Sequence, residues 1–96
     1  MYAVVRTYYG LGENSLFDLL EQRKAEVESI IRGISGFQSY TLIRTDGGGV
    51  TVTVCQDKTG TDESMQVARD WIQQNASDLG VSPPNVSEGS VVLHLR

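Results

Sequence analysis

Residues 37–57, FQSYTLIRTDGGGVTVTVCQD, decide the fold that this sequence predicts. The second half, residues 50–55, alternates valine with threonine or cysteine, and a period of two residues is typical of a β-strand. The first half, residues 37–44, is rich in aromatic and β-branched side chains, which also favour strands. Between the halves, Asp46 and the three glycines after it can adopt the backbone angles that a chain reversal needs. The stretch therefore predicts a β-hairpin at the centre of the chain.

One strand and one helix are predicted before the hairpin. Residues 2–9 are rich in valine, threonine and tyrosine, which favour a pleated surface. Ser15, with an acid three residues later at Asp18, fits a capping box at the start of a helix. Apolar residues then recur at helical spacings over residues 16–34, and two nearby glycines mark the end of the pattern. This pattern predicts a single long helix.

One helix and one strand are predicted after the hairpin. Residues 57–60 are typical of a second turn, and Thr61 is the expected N-cap of a helix that ends before Gly80. Two consecutive prolines then exclude a helix and favour an extended connector. Residues 91–95, VVLHL, are the predicted last strand.

The element order is strand, helix, strand, strand, helix, strand. It predicts an α+β, ferredoxin-like βαββαβ domain over residues 1–96, with two helices on one face of an antiparallel four-stranded sheet. The apolar residues of the strands point to both faces: Phe37 and Ile43 alternate with Tyr40 and Leu42. Because two helices cover only one face, the other is expected to meet a second copy of the chain. The alternative is an ordinary surface with a few exposed apolar side chains.

Composition excludes several classes of protein. The net charge is −4 and lysines and arginines are not clustered, which argues against nucleic acid as a partner. A lone cysteine, Cys55, rules out an intramolecular disulfide and fits a reducing compartment. No apolar run approaches the roughly 20 residues that span a bilayer. The first residues resemble a strand and not a secretory signal. The expected location is the cytoplasm, with no membrane partner.

Three short stretches carry a resemblance to a known family. They are residues 36–40, a glycine and an aromatic at the start of the second strand; residues 57–60 with Ser64 beyond; and residues 68–72 inside the second helix. Together with the element order, they resemble the dimeric α+β barrel superfamily, in particular the antibiotic-biosynthesis-monooxygenase-like small domains. The resemblance implies a homodimer whose two sheets close a barrel, with a pocket between the sheet and the helices of each subunit.

Members of that superfamily include cofactor-free oxygenases of aromatic polyketides, haem-degrading enzymes and many proteins of no known activity. The haem-degrading members use a histidine on the second helix as iron ligand. Residues 61–79 contain no histidine, which argues against haem degradation. No cofactor and no metal site are expected, because no histidine or cysteine spacing is typical of zinc.

Four residues are candidates for contact with a ligand. Trp71 lies on the apolar stripe of the second helix, where it either packs in the core or forms the wall of a pocket, as tryptophan and tyrosine do in the resembling oxygenases. Tyr8 and Tyr40 carry hydroxyl groups that need partners when buried. Arg6 and Arg44 are charged residues in predicted strands, and each could hold a carboxylate or enolate oxygen of a ligand. The alternative is a position at a solvated edge of the sheet, and this alternative is favoured for both.

Two further residues have reactive side chains. His94 is the only histidine and the weak candidate for a catalytic base, although a structural or exposed role is more common for such a residue. Cys55 lacks a neighbouring base in the sequence, so a small buried core residue is expected.

Three functions remain open from the sequence, and whether the chain is an enzyme is undecided. The first is a small homodimeric barrel protein of unassigned function that binds a small organic ligand between sheet and helices. The second is a cofactor-independent monooxygenase-like enzyme for an aromatic or phenolic substrate, with Tyr40, Trp71 and His94 at its pocket. The third is a module for dimerisation alone.

Overall fold

The computed structural model describes all 96 residues. Its elements are, in chain order, β1 (Tyr2–Tyr9), α1 (Glu13–Gln22), α2 (Lys24–Arg32), β2 (Phe37–Thr45), β3 (Gly48–Cys55), α3 (Lys58–Asn75), a 3₁₀ turn (Ser77–Leu79) and β4 (Asn85–Ser90). No helix is both long and apolar enough to cross a membrane.

The four strands form one sheet in the order β2-β3-β1-β4, and every neighbouring pair is antiparallel. The helices cover one face of this sheet, where Leu16 and Phe17 of α1 and Trp71 of α3 pack in one cluster with Tyr8 of β1. The predicted ferredoxin-like α+β fold is therefore confirmed.

The central hairpin is confirmed, with a shorter turn than the glycine run predicts. Thr45 pairs with Gly48, so only Asp46 and Gly47 form the turn, and Gly47 takes a positive φ of 78°. The next glycines already belong to β3. A side chain at Gly49 would lie 2.2 Å from the Phe17 ring, so this glycine lets α1 pack closely against the sheet.

The predicted single first helix is wrong in detail, because the chain bends at Arg23. The helix begins after Gly12, with φ 88°, and not at the predicted cap Ser15. Arg23 separates α1 from α2, and its guanidinium reaches α3, where it donates to Asn75 Oδ1 at 2.7 Å. It also lies 5.8 Å from the centre of the Trp71 ring. The interruption therefore lies where the chain contacts α3. The helical spacing of apolar residues contains no information on where α3 packs.

The second long helix begins earlier than predicted. Its N-cap is Asp57, whose carboxylate accepts from the backbone N–H of Thr59 at 3.1 Å, so Thr61 already lies inside the helix. The helix ends at Asn75. A 3₁₀ turn follows, and Gly80 closes it in the left-handed conformation with φ 70°.

The predicted last strand, residues 91–95, is also wrong. The strand is Asn85–Ser90, which pairs with β1 so that Ser90 lies opposite Tyr2. The N–H of Val91 still donates to the carbonyl of Met1 at 3.0 Å. Beyond that point the chain forms no further pairing with β1. The β-favouring residues that follow therefore run past the end of the sheet, and Val92 is 98% exposed.

The two faces of the sheet differ in residue type. The pairing of β1, β2 and β3 places Arg6, Tyr8, Tyr40, Leu42, Thr51 and Thr53 beneath the helices. It places Val5, Ile43, Val50 and Val52 on the open face. A bulge between Phe37 and Ser39 shifts the alternation, so Phe37 packs with Ile31 beneath the helices. The expectation that Phe37 shares a face with Ile43 is therefore wrong.

Candidate ligand-binding site

A cavity of about 50 Å³ lies between the sheet and the helices. We call it the central cavity. Its walls come from β1, β2, β3 and all three helices, and they are apolar or aromatic except for two polar side chains, Arg6 and Thr51. The four residues that the sequence suggested as ligand contacts meet at this cavity: Arg6, Tyr8, Tyr40 and Trp71.

Arg6 is buried, with 3% of its surface exposed, so the expected solvated edge is wrong for this residue. It occupies a central strand, and its side chain points beneath the helices. Its Nε donates to Thr51 Oγ1 at 2.9 Å, and its Nη1 donates to the carbonyl of Ser64 at 3.2 Å. No carboxylate lies within ion-pair distance of it. A buried guanidinium therefore faces the cavity without a countercharge, an arrangement that costs several kcal/mol of desolvation.

Tyr8 and Tyr40 present phenol groups to the same space. Burial raises the pKa of both hydroxyls above 10.0, and the positive charge of Arg6 opposes this rise only partly. Both side chains are therefore neutral at pH 7 and act there as hydrogen-bond donors. Neither is suited to remove a proton from a substrate at neutral pH.

Trp71 closes the cavity from the α3 side and also ties α2 in place. Its indole Nε1 donates to Glu26 Oε2 at 2.7 Å, and Glu26 forms an ion pair with Arg23 at 3.3 Å. Since Arg23 also binds Asn75, one polar network joins α2 to α3 beside the cavity. The sequence did not suggest this network, because its two links between the helices join residues 45 and 52 positions apart along the chain.

Two larger spaces adjoin the central cavity. A groove of about 480 Å³ lies between α1, α2 and β2, and it shares Leu20, Val27, Ile31 and Tyr40 with the cavity. A cleft of about 320 Å³, the α3 cleft, lies between α3 and the segment from Val81 to Val86. It shares Arg6, Tyr8, Ala68 and Ile72 with the cavity. The central cavity thus borders both larger spaces, and the shared side chains lie between them.

The other candidates do not line the central cavity, although Arg44 lines the adjoining groove. His94 is in the irregular segment after β4, contributes to none of these spaces and makes no hydrogen bond, so its role as a base stays a prediction. Arg44 lies at the solvated edge of β2, where it binds Asp18 at 2.8 Å and Glu21 at 3.0 Å. Cys55 is fully buried, and burial, with the charges of nearby acids, raises the pKa of its thiol.

Sequence reasoning missed the polar groups of β3 and α1 beneath the helices. Thr51 and Thr53 are buried, and the hydroxyl of Thr53 has no partner. Glu13 is fully buried, and both oxygens of its carboxylate lack a hydrogen bond. The threonines had a signal: they alternate with valines, so once Arg6 is placed beneath the helices the pairing places them with it. Glu13 had none. No group of histidine, cysteine or acidic side chains is arranged to hold a metal ion.

Neither a protein-family model nor a curated protein matches the sequence. Solved structures do match. The monooxygenase of ActVA-Orf6 from Streptomyces coelicolor, in complex with Nanaomycin D, matches with a TM-score of 0.69 and 18% identity over 99% of this chain and 90% of that one. NE2512 from Nitrosomonas europaea, a protein of unknown function, gives the same score and identity over 99% and 91%. SnoaB, a cofactor-independent oxygenase from Streptomyces nogalater, gives 0.58 and 18% over 98% and 93%.

This likeness is one of fold. The chain shares the fold of these three solved structures, and the resemblance that the sequence suggested is confirmed at the level of fold.

Proposed function

We propose that this chain binds a small organic ligand in the central cavity and works as a homodimer. One observation carries the binding proposal: an almost wholly apolar and aromatic cavity contains one buried guanidinium, Arg6, that no carboxylate neutralises. Apolar walls with a few convergent polar groups are typical of small-molecule sites. A cavity near Trp71 also argues against a module for dimerisation alone.

The free volume sets a condition on binding. An apolar cavity of about 150 Å³ accommodates a single benzene ring, whereas the central cavity measures about 50 Å³. A ligand of one or two rings must therefore extend into one of the adjoining spaces, which measure about 480 and 320 Å³. The central cavity shares four lining residues with each of these spaces, so movement of these shared side chains is the proposed route between them.

The proposed dimer explains the open face of the sheet. Val5, Val50 and Val52 lie side by side there, and Ile43 is 44% exposed. A second copy that packs the same face against this one would remove these side chains from water, and twofold dimers are the commonest assemblies. The same face-to-face packing of two sheets occurs in the dimeric α+β barrels that the sequence resembles.

Native mass spectrometry of the purified protein tests both parts. We expect the mass of a dimer, and a bound small molecule would appear as added mass. A monomer at micromolar concentration would contradict the dimer.

Binding is measured independently through Trp71, the only tryptophan of the chain and part of the cavity wall. We expect 2-naphthol to change its fluorescence saturably. Ala68→Phe fills the cavity and should abolish the change, whereas Ala25→Phe, on the exposed surface of α2, should not. An equal response from both variants would place the ligand elsewhere.

Cofactor-independent oxygenation of a phenol is the second candidate function. It is favoured by the fold, which is shared with a cofactor-independent oxygenase and with a monooxygenase in complex with Nanaomycin D. The cavity contains no histidine or acid, and its tyrosines are neutral at pH 7. Such an enzyme would therefore depend on a substrate that ionises readily beside Arg6. Oxygen uptake with a series of phenols of decreasing pKa tests it, and no uptake with any of them would leave binding as the function.

A further inference from the structure

The α3 cleft has an unusual charge for this protein. The chain has 12 acidic and 8 basic residues, yet no aspartate or glutamate lines the cleft. Two guanidinium groups do: Arg6 at its buried end and Arg69 at its exposed end. The cleft is thus an acid-free, positively charged concavity on an otherwise acidic molecule, and charge of one sign in a concave site attracts ligands of the opposite sign.

Neither guanidinium is neutralised by the protein. Arg6 and Arg69 take part in no ion pair, and Arg69 only donates to the side-chain oxygen of Gln66 at 3.4 Å. The buried carboxylate of Glu13 lies near Tyr8, but it forms no ion pair with either arginine and makes no hydrogen bond. Both positive charges are therefore available to a ligand.

The donors of Arg6 that remain free suit a carboxylate. A guanidinium has five N–H groups in a planar fork. Arg6 uses the one on Nε for Thr51 and one on Nη1 for Ser64. The other N–H groups, one on Nη1 and two on Nη2, have no protein acceptor except the Tyr40 hydroxyl, and a hydrogen bond from Arg6 to that phenol opposes the rise of the Tyr40 pKa. Adjacent donors on the two terminal nitrogens are those that bind both oxygens of a carboxylate in parallel.

We propose that the α3 cleft and the central cavity together bind a small hydrophobic carboxylic acid, with its carboxylate on Arg6 and its apolar part against the cavity wall. Arg69 attracts the anion at the mouth of the cleft. The cleft volume of about 320 Å³ is sufficient for an acid of one or two rings. This inference rests on the proposed binding function and adds the charge and the chemical class of the ligand.

The test compares 2-naphthoate with 2-naphthamide, which has nearly the same shape and no charge, by titration of Trp71 fluorescence and by calorimetry. We expect naphthoate to bind at least about tenfold more tightly, as one charge-assisted pair predicts. Arg6→Met should remove this preference while naphthamide binds as before. Arg6→Lys keeps the charge without the fork and should give an intermediate preference.

Arg69→Met supplies a test that does not disturb the buried network. We expect it to weaken naphthoate binding several-fold at low salt and by less at high salt, because the charge at the mouth is exposed and screened. Arg96→Met, which removes another exposed arginine that lines none of the three spaces, should leave the naphthoate affinity unchanged. Circular dichroism checks that each variant is folded.

Two results would overturn the inference. Equal affinity for naphthoate and naphthamide would leave the proposed binding function intact and remove the anionic ligand. Binding of 2-naphthol to the wild-type protein without any binding of naphthoate would do the same. If none of the three compounds binds, the proposed function fails along with this inference.

Discussion

The two faces of the sheet differ in composition, and each carries some side chains that an isolated chain would be expected to place on the other. Beneath the helices, where an ordinary core is apolar, β1 and β3 place Arg6, Thr51 and Thr53. On the open face, where water is the expected neighbour, the same strands place Val5, Val50 and Val52. Antiparallel sheets with one solvated face usually show the opposite distribution.

The difference fits the two partners proposed above, a ligand on one face and a second subunit on the other. Polar groups beneath the helices destabilise the isolated fold unless they are paired, so we connect them with a bound ligand. Apolar groups on the open face gain free energy only when a second surface covers them, so we connect them with a second subunit. Changes on the two faces should then have separate effects, one on assembly and one on stability and binding.

The largest expected effect follows from a charge on the open face. Val52 lies at the middle of β3, opposite Val5 on one side and Thr41 on the other. Val52→Asp would bury an unpaired carboxylate in the proposed dimer interface, which costs about 3 kcal/mol or more. We expect the dimer to dissociate at least about 100-fold more readily, as measured by analytical ultracentrifugation. The matched control is Gln73→Asp, which adds the same charge on the exposed surface of α3 and should leave the dimer intact. A dimeric Val52→Asp protein would show that the open face is not the interface.

A smaller effect is expected from two threonines beneath the helices. The hydroxyl of Thr53 is buried without a partner, so Thr53→Val should raise the free energy of unfolding by about 1 kcal/mol. The hydroxyl of Thr51 accepts from Arg6, so Thr51→Val should lower that free energy by about 1–3 kcal/mol. Urea unfolding at one fixed protein concentration measures both. If Thr53→Val destabilises as much as Thr51→Val, the Thr53 hydroxyl has a partner in solution.

The smallest effect concerns alkaline pH. Burial raises the pKa of Tyr40 in the folded protein above the value of 10.0 that the unfolded chain is expected to have. The folded state therefore holds a proton that the unfolded state releases. The contribution of the protonated Tyr40 to the free energy of unfolding is fully present below pH 10. It is lost as the pH rises from 10 towards the pKa of Tyr40 in the folded protein, by at most about 1.4 kcal/mol per pH unit.

Removal of the hydroxyl should flatten this dependence. We expect Tyr40→Phe to lose less stability than the wild-type protein between pH 9 and pH 11, measured by urea unfolding at each pH. Tyr9→Phe provides the control, because Tyr9 is 72% exposed and should leave the slope unchanged. Parallel slopes for the wild-type protein and Tyr40→Phe would mean that the phenol is not protected in solution.

The alternation of side chains along the strands predicted the site better than the chemical character of single residues did. The alternation of side chains along the strand placed Tyr40 with Leu42, and both lie beneath the helices. Chemistry favoured a solvated edge for Arg6, because a lone strand arginine is usually solvated. Its burial depends on Thr51 and Ser64, which lie 45 and 58 residues away. No local pattern reports partners at that separation.

The sequence by itself determined the order of the elements, the central hairpin and the alternation of side chains within strands, because these depend on neighbouring residues and backbone preferences. Tertiary structure decided the rest. The last strand is Asn85–Ser90, the segment that pairs with β1, although the sequence after it favours strand more strongly. The predicted long helix is divided at Arg23, whose side chain binds α3. The charge of the site comes from an arginine whose burial only the packing of α3 on the sheet produces.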